Sequence, residues 1–319
     1  MVKFKYFGRY RLLLILSLLS WVSISIAQNA GDFRTKKSGL WDSPTTWELY
    51  DGSTWRDSIS VTPGQNDNVY IQNNHSVTLT KNESCKNLNL HTGDNQNRIT
   101  TSSYSLSIFG KLRAYTGNVP GISTTALPIT ENWINTSGGG RILIEGNSRN
   151  ITEAGEWGMN PVGWRMEIAL NPGETGIFNT GVKAAHFIIS SGTVILTLDN
   201  TFRPDSGVYG SGTITIQSGA TLRLKAGSLQ RLLFAGPNAH FARLDVNGTL
   251  AFDSSVVGAI GAAVINFNGK VIYSANGAQT FLTRGANSNG AHPNVYTDVE
   301  LNGTGVKTLG LNTTINGTL

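Results

Sequence analysis

The chain has 319 residues, long enough for one large domain or two ordinary ones. Aromatic residues make up 9% and charged residues only 14%, which argues against a disordered chain and against a highly charged nucleic-acid binder. Gly is abundant at 37 residues and Asn, Thr and Ser are frequent, a composition of strands and turns rather than helices.

The formal charge of +5 has a local source. Lys3, Lys5, Arg9 and Arg11 precede the apolar run Leu12 to Ala27, with the small residues Ser25 and Ala27 at its end. A basic start, an apolar stretch and a small-residue site predict a secretory signal peptide over 1–27, cleaved after Ala27. The run is short for a membrane span and contains four serines, so no transmembrane segment is expected after its removal. The mature chain then carries 21 basic and 20 acidic residues, and the pI of 9.3 largely reports on the leader. No nucleic-acid partner is implied. Cys85 is the lone cysteine, so no intrachain disulfide is available, and it reads as a small buried residue near a strand.

Residues 28–115 begin with a Trp-rich segment: Trp41, Trp47 and Trp55 fall within 15 residues. After Pro63-Gly64 the pattern has period two, with Val69 and Ile71, Val77 and Leu79, then Leu88 and Leu90, separated by turn residues such as Asn73-Asn74 and Lys81-Asn82. These are short strands with one apolar face, and 105–115 continues them. Residues 116–181 are expected to hold a loop-rich insertion and middle coils. Pro120, Pro128 and Ser137-Gly138-Gly139-Gly140 suggest an exposed loop over 116–139, with strands near 141–145 and 164–170.

From residue 182 to 319 the chain repeats itself. Ser191-Gly192-Thr193 returns as Ser211-Gly212-Thr213, and Asn247-Gly248 returns as Asn268-Gly269, each followed by an alternating run. Internal spacing of roughly 20 residues predicts a solenoid, here an all-β right-handed parallel β-helix whose coils stack about 4.8 Å apart. The Trp-rich segment is its N-terminal cap. A β-sandwich is the alternative, since it also gives short strands with frequent turns. The spacing from Asn302-Gly303 to Asn316-Gly317 is only 14 residues, which points to variable loops or a different unit there. The sequence stops in mid-phrase at Asn-Gly-Thr-Leu, so further coils or a cap are expected beyond Leu319.

The stretch from Gly39 to Leu90 resembles the N-terminal region of large secreted β-helix surface proteins of Bacteroidetes-type bacteria. The resemblance rests on Trp41 and Trp47, Pro63-Gly64, Asp67-Asn68-Val69-Tyr70-Ile71, Val77-Thr78-Leu79 and Leu88-Asn89-Leu90. It is similar in part to the eight-glycine domain, itself a β-helical module. Residues 268–282 and 295–319 look like the repeats of the same bacterial proteins. The resemblance implies an adhesin-like protein, secreted or held at the cell surface and often exported by the type IX system, with surface glycans or extracellular matrix as partners.

Catalytic and metal motifs are sparse. There is no HExxH, no Cys/His cluster, no GxSxG elbow, no P-loop and no EF-hand, and His75, His91, His186, His240 and His292 are scattered. No cofactor, metal site or catalytic residue is assigned, and the expected function is structural or adhesive. The alternative is a polysaccharide-binding or polysaccharide-cleaving module, a lyase or a glycoside hydrolase. Such an enzyme would need two carboxylates on one cleft, or a base beside a neutralising charge. Glu145, Glu153, Glu156, Glu167 and Arg165 lie in one region but at no telling spacing. For binding, Trp47, Tyr50 and Trp55 are the candidate sugar-stacking rings, with core packing as the competing role for the tryptophans. No regular Thr-x-Thr array is visible.

Overall fold

A computed structural model describes residues 28–91, 98–115, 134–152, 165–178, 182–183, 186–197, 202–203, 212–225, 241–254, 262–280, 294–309 and 313–319. The signal-peptide expectation, with cleavage after Ala27, lies outside these residues. Among these residues the protein is all-β, with sheets of 6, 15 and 4 strands and two small pairs. A short 3-10 turn, Pro44–Thr46, interrupts these strands.

In the first half the chain visits three sheets in rotation. Asn68–Ile71 lies in the 6-stranded sheet, Val77–Thr78 in the 4-stranded sheet and Glu83–Cys85 in the 15-stranded sheet. Asn87–His91, Ile99–Thr100 and Ser105–Ile108 then return to the same three sheets in the same order. Each strand pairs in parallel with its counterpart of the previous round: Val69 with Leu88, Val77 with Ile99, Cys85 with Ile108. Leu112–Tyr115, Ile134–Asn135 and Arg141–Gly146 repeat the cycle.

Beyond Arg141 the large sheet carries two parallel ladders. One runs through Arg165–Leu170, His186–Ser191, Thr213–Ile216 and Phe241–Val246. The other runs through Thr175–Phe178, Thr193–Leu196, Thr221–Leu224 and Thr249–Phe252. The 12-residue strand Ala262–Tyr273 spans both ladders, and Asn294–Leu301 pairs onto it. Every strand pairing among the described residues from Val182 onward is parallel. The antiparallel sandwich is therefore not what these residues form.

The period-two pattern explains the ladders. In Thr221–Leu224 the burial alternates, with Leu222 and Leu224 inside and Thr221 and Arg223 half-exposed. Parallel register then stacks like on like: Val194, Leu222, Leu250, Val271 and Val299 form one continuous inner column, all buried. A second column runs Cys85, Ile108, Ile144, Ile168, Ile189, Ile216, Val246, Phe267 and Tyr296. It ends in stacked rings, Phe267 on Tyr296 at 4.7 Å and 6°. Burying one such aliphatic side chain contributes about 1.5–3 kcal/mol, so the columns are the main source of cohesion.

Corners stack too. Asn268 Nδ2 donates to Asn247 Oδ1 at 2.9 Å, and Asn171 Nδ2 to Asn147 Oδ1 at 2.8 Å. A longer polar ladder links the first rungs: Asn68 Nδ2 donates to Asp32 Oδ1 (2.7 Å), Asn87 Nδ2 to Asn68 Oδ1 (2.6 Å), and the Lys111 amide to Asn87 Oδ1 (2.6 Å). At the Asn-Gly corners the chain passes so close to the rung below that a side chain has no room. A Cβ on Gly248 would lie 2.2 Å from the Gln217 carbonyl, and one on Gly269 would lie 2.1 Å from the Gly248 carbonyl.

Two sequence expectations are corrected here. The repeated Ser-Gly-Thr phrase is not one coil: Thr193 stacks beneath Thr221, 28 residues on, while Thr213 stacks above His186 in the other ladder. The phrase marks the start of a strand in two different ladders. By contrast, Asn247 and Asn268 are true counterparts 21 residues apart. The 14-residue spacing near the end is likewise no coil, because Asn302 donates its amide to Tyr273 whereas Asn316 donates to Tyr296. In addition, the loop expected over 116–139 contains the strand Ile134–Asn135. Its glycine tract folds back on the rung below, with the Gly140 amide bonded to the Ser102 carbonyl at 2.8 Å.

Candidate functional site

The Trp-rich segment closes one end of the 6-stranded sheet. Phe33–Thr35 pairs antiparallel with Trp47–Tyr50, which pairs antiparallel with Trp55–Asp57. Alternation along Trp47–Tyr50 turns Trp47 inward. Trp41 and Trp47 are both 0% exposed. Their rings meet edge-on at 5.3 Å, and Trp47 meets Phe33 at 6.4 Å. Each indole N–H is satisfied, Trp47 by the Trp41 carbonyl at 2.7 Å and Trp41 by the Pro63 carbonyl at 3.2 Å. Trp47 thus offers no face to a sugar, and its candidacy as a stacking ring is corrected to packing.

Tyr50 and Trp55 are half-exposed and lie 5.2 Å apart, tilted by 47°. The Arg34 guanidinium sits 4.6 Å over the Trp55 ring and is held by Glu48 at 2.6 Å. Sequence reasoning missed Arg34, because only the antiparallel register Arg34–Glu48 brings it there. The result is a small aromatic platform with a paired charge beside it.

The carboxylate candidates separate. Glu153 and Glu156 lie outside the described residues, as do His240 and His292. Glu145 and Glu167 stand on the outer face of neighbouring rungs, with Leu143 rather than Glu145 directly opposite Glu167. Their side chains project the same way from one sheet and do not face each other across a groove. Glu167 is engaged by Arg141 at 2.5 Å. Arg165 is exposed in the next column and pairs in register with His186. Among the described residues, Glu145 and Glu167 do not form the opposed pair that glycoside cleavage requires.

Elsewhere the outer faces carry neutralised charge. Arg223 holds Asp253 through two bonds of 2.8 and 3.1 Å, and Lys270 holds Glu300 at 2.8 Å. Thr175, Thr193, Thr221 and Thr249 stack in one outward column, an array hidden from sequence because unequal loops separate its members. Cys85 is fully buried, and burial pushes its thiol far above the ordinary range, so it is inert. Among the described residues no three His, Cys, Asp or Glu side chains gather as a metal site, and no helix is long and apolar enough to cross a membrane.

Two histidines set an acid response. His75 Nδ1 lies 2.9 Å from the Thr35 hydroxyl, and His186 Nδ1 lies 2.9 Å from the Thr213 hydroxyl. Burial lowers both pKa values below 6.5, aided by Arg98 at His75 and Arg165 at His186. The unfolded chain therefore takes up protons near pH 6.5 before the folded chain does. The stability these neutral rings support is complete above pH 6.5 and is lost as pH falls through 6.5 towards the folded values. We expect the urea midpoint to fall between pH 7.5 and 5.5, and the fall to shrink in a His75→Gln/His186→Gln variant. Asp32 and Glu83, raised by burial, act in the opposite sense at lower pH. The difference between the two proteins isolates the histidines.

No family model matches the chain, and neither a curated protein nor a solved structure matches it.

Proposed function

We propose that the chain is an exported right-handed parallel β-helix that acts as a rigid structural or adhesive element of the cell surface, without a catalytic centre of its own. The reading rests on one observation: the chain visits its sheets in rotation, and strand after strand pairs in parallel with its counterpart one round earlier. A coil wound this way resists bending, because every rung is bonded to the rungs on both sides. The buried Trp41–Trp47 pair and its antiparallel strands then serve as the N-terminal cap. Outer charges held in pairs suit a stalk that presents surface rather than a reactive groove. The basic-apolar leader and the resemblance to secreted bacterial β-helix proteins support export, with surface glycans or matrix as partners.

A polysaccharide-binding role is favoured by one specific feature, the half-exposed Tyr50–Trp55 pair. Both readings meet in one experiment. The chain from Gln28 is applied to a glycan array and assayed for release of reducing sugar. The adhesive reading expects no sugar release from any glycan. Release that disappears in Glu167→Gln would replace it with the hydrolase or lyase reading. Binding lost in Trp55→Ala at an unchanged melting temperature would place the glycan on that platform.

A further inference from the structure

We propose that Asn302 is a self-modification site, where the Gly303 amide displaces the side-chain amide nitrogen to give a succinimide and then aspartate or isoaspartate. Asn302-Gly303 follows the strand Asn294–Leu301 at an exposed corner. The Asn302 backbone amide is anchored to the Tyr273 carbonyl at 2.8 Å, and its Nδ2 donates to Glu300 Oε1 at 2.5 Å. The Gly303 N–H has no acceptor among the described residues. That nitrogen is the nucleophile, so nothing must be broken to free it.

Three of the other described Asn-Gly corners differ in this respect. The Gly248 amide is bonded to Ile216 at 3.0 Å, the Gly277 amide to Thr304 at 2.8 Å and the Gly317 amide to Thr297 at 2.8 Å. Gly269 lies inside the continuous strand Ala262–Tyr273, and the Asn268 side chain is tied to Asn247. The glycine amide of the same dipeptide is thus engaged at Gly248, Gly277 and Gly317 and open at Gly303. The fold also holds the glycine in place. Gly303 has φ +77°, and a Cβ there would lie 2.5 Å from the Ala275 carbonyl, so the least hindered neighbour for the attack is fixed.

The chemistry needs only water. The Gly303 nitrogen bonds to Asn302 Cγ, the Cγ–Nδ2 bond breaks, and the amide proton passes through water to the departing nitrogen, which leaves as ammonia. Water then opens either carbonyl of the ring. One opening gives aspartate; the other gives isoaspartate, with an extra backbone carbon in the corner. Either product sets a new carboxylate beside Glu300. Isoaspartate also displaces the turn from the Ala275 carbonyl.

The test is ageing of the whole mature chain in mildly alkaline buffer, followed by peptide mapping. Each site is scored for the mass gain of amide-to-acid conversion and for isoaspartate-specific methylation. Asn302 is expected to convert at least about fivefold faster than Asn247, Asn276 and Asn316, the factor one backbone hydrogen bond supplies. In denaturant the sites should converge. Asn289-Gly290 lies outside the described residues and is scored separately. Native rates at Asn302 no greater than at Asn276 and Asn316 would overturn the proposal, as would an excess that persists in denaturant. An Asn302→Gln variant, unable to close the five-membered ring, should lose the signal at this corner and keep its melting temperature.

Discussion

Replacing Trp47 with alanine is expected to lower the unfolding free energy by about 3–5 kcal/mol. The ring is fully buried, packed edge-on against Trp41 at 5.3 Å and Phe33 at 6.4 Å. Its loss leaves a cavity that the surrounding strands cannot close, because they are fixed by ladder bonds on both sides. It also strips the Trp41 carbonyl of the indole donor at 2.7 Å, an unmade buried bond worth about 1–3 kcal/mol. Trp55→Ala is the internal control: that ring is half-exposed and rests on Tyr50 and Arg34, so its removal should cost much less. Denaturant titration gives the difference, and hydrogen exchange places it. Protection should fall in Phe33–Thr35 and Trp47–Tyr50 and persist in Thr213–Ile216. A Trp47→Ala loss below about 1 kcal/mol would mean that the ring is not core.

Much of the inner architecture was legible because alternation is a local signal. Val69, Ile71, Val77, Leu79, Leu88 and Leu90 are all buried, as their period-two pattern requires. What was illegible is which rung lies above which. Strand starts use the same residues in every ladder, so Ser-Gly-Thr recurs without marking a coil. Coil lengths vary because the connections do: Thr175 is followed in its column by Thr193 after 18 residues, and Thr193 by Thr221 after 28. The Asn-Gly corner is a better ruler, since its glycine must meet the backbone of the rung below.

The candidate site was legible only in part, for the same reason. The Trp cluster was visible, but which ring faces inward depends on strand phase. Trp47 and Tyr50 differ by an odd number of positions in one strand, which places them on opposite faces. Arg34 reaches Trp55 only through the fold of two antiparallel pairs. Glu145 and Glu167 fall in one region of the sequence at no telling spacing, and the register sets them on neighbouring rungs two residues out of step.

The sharpest test of the stacked columns is a pair of substitutions one residue apart. Leu222→Asp is expected to lower stability by more than about 4 kcal/mol, enough to prevent folding of a marginal domain. Leu222 is 0% exposed, between Val194 on one rung and Leu250 on the next. A carboxylate there finds apolar side chains above and below. It would have to stay protonated, and even the neutral acid would leave its hydroxyl unpaired. Thr221→Asp places the same group on the outer face of the same strand, between Thr193 and Thr249. Arg223 lies two residues on, along the same face. That change should stay within about 0.5 kcal/mol. Circular dichroism and denaturant titration of the two variants decide the matter. Comparable losses at 221 and 222 would mean that the strand does not present one dry face and one wet face, and the ladder through Val194, Leu222 and Leu250 would fall with it.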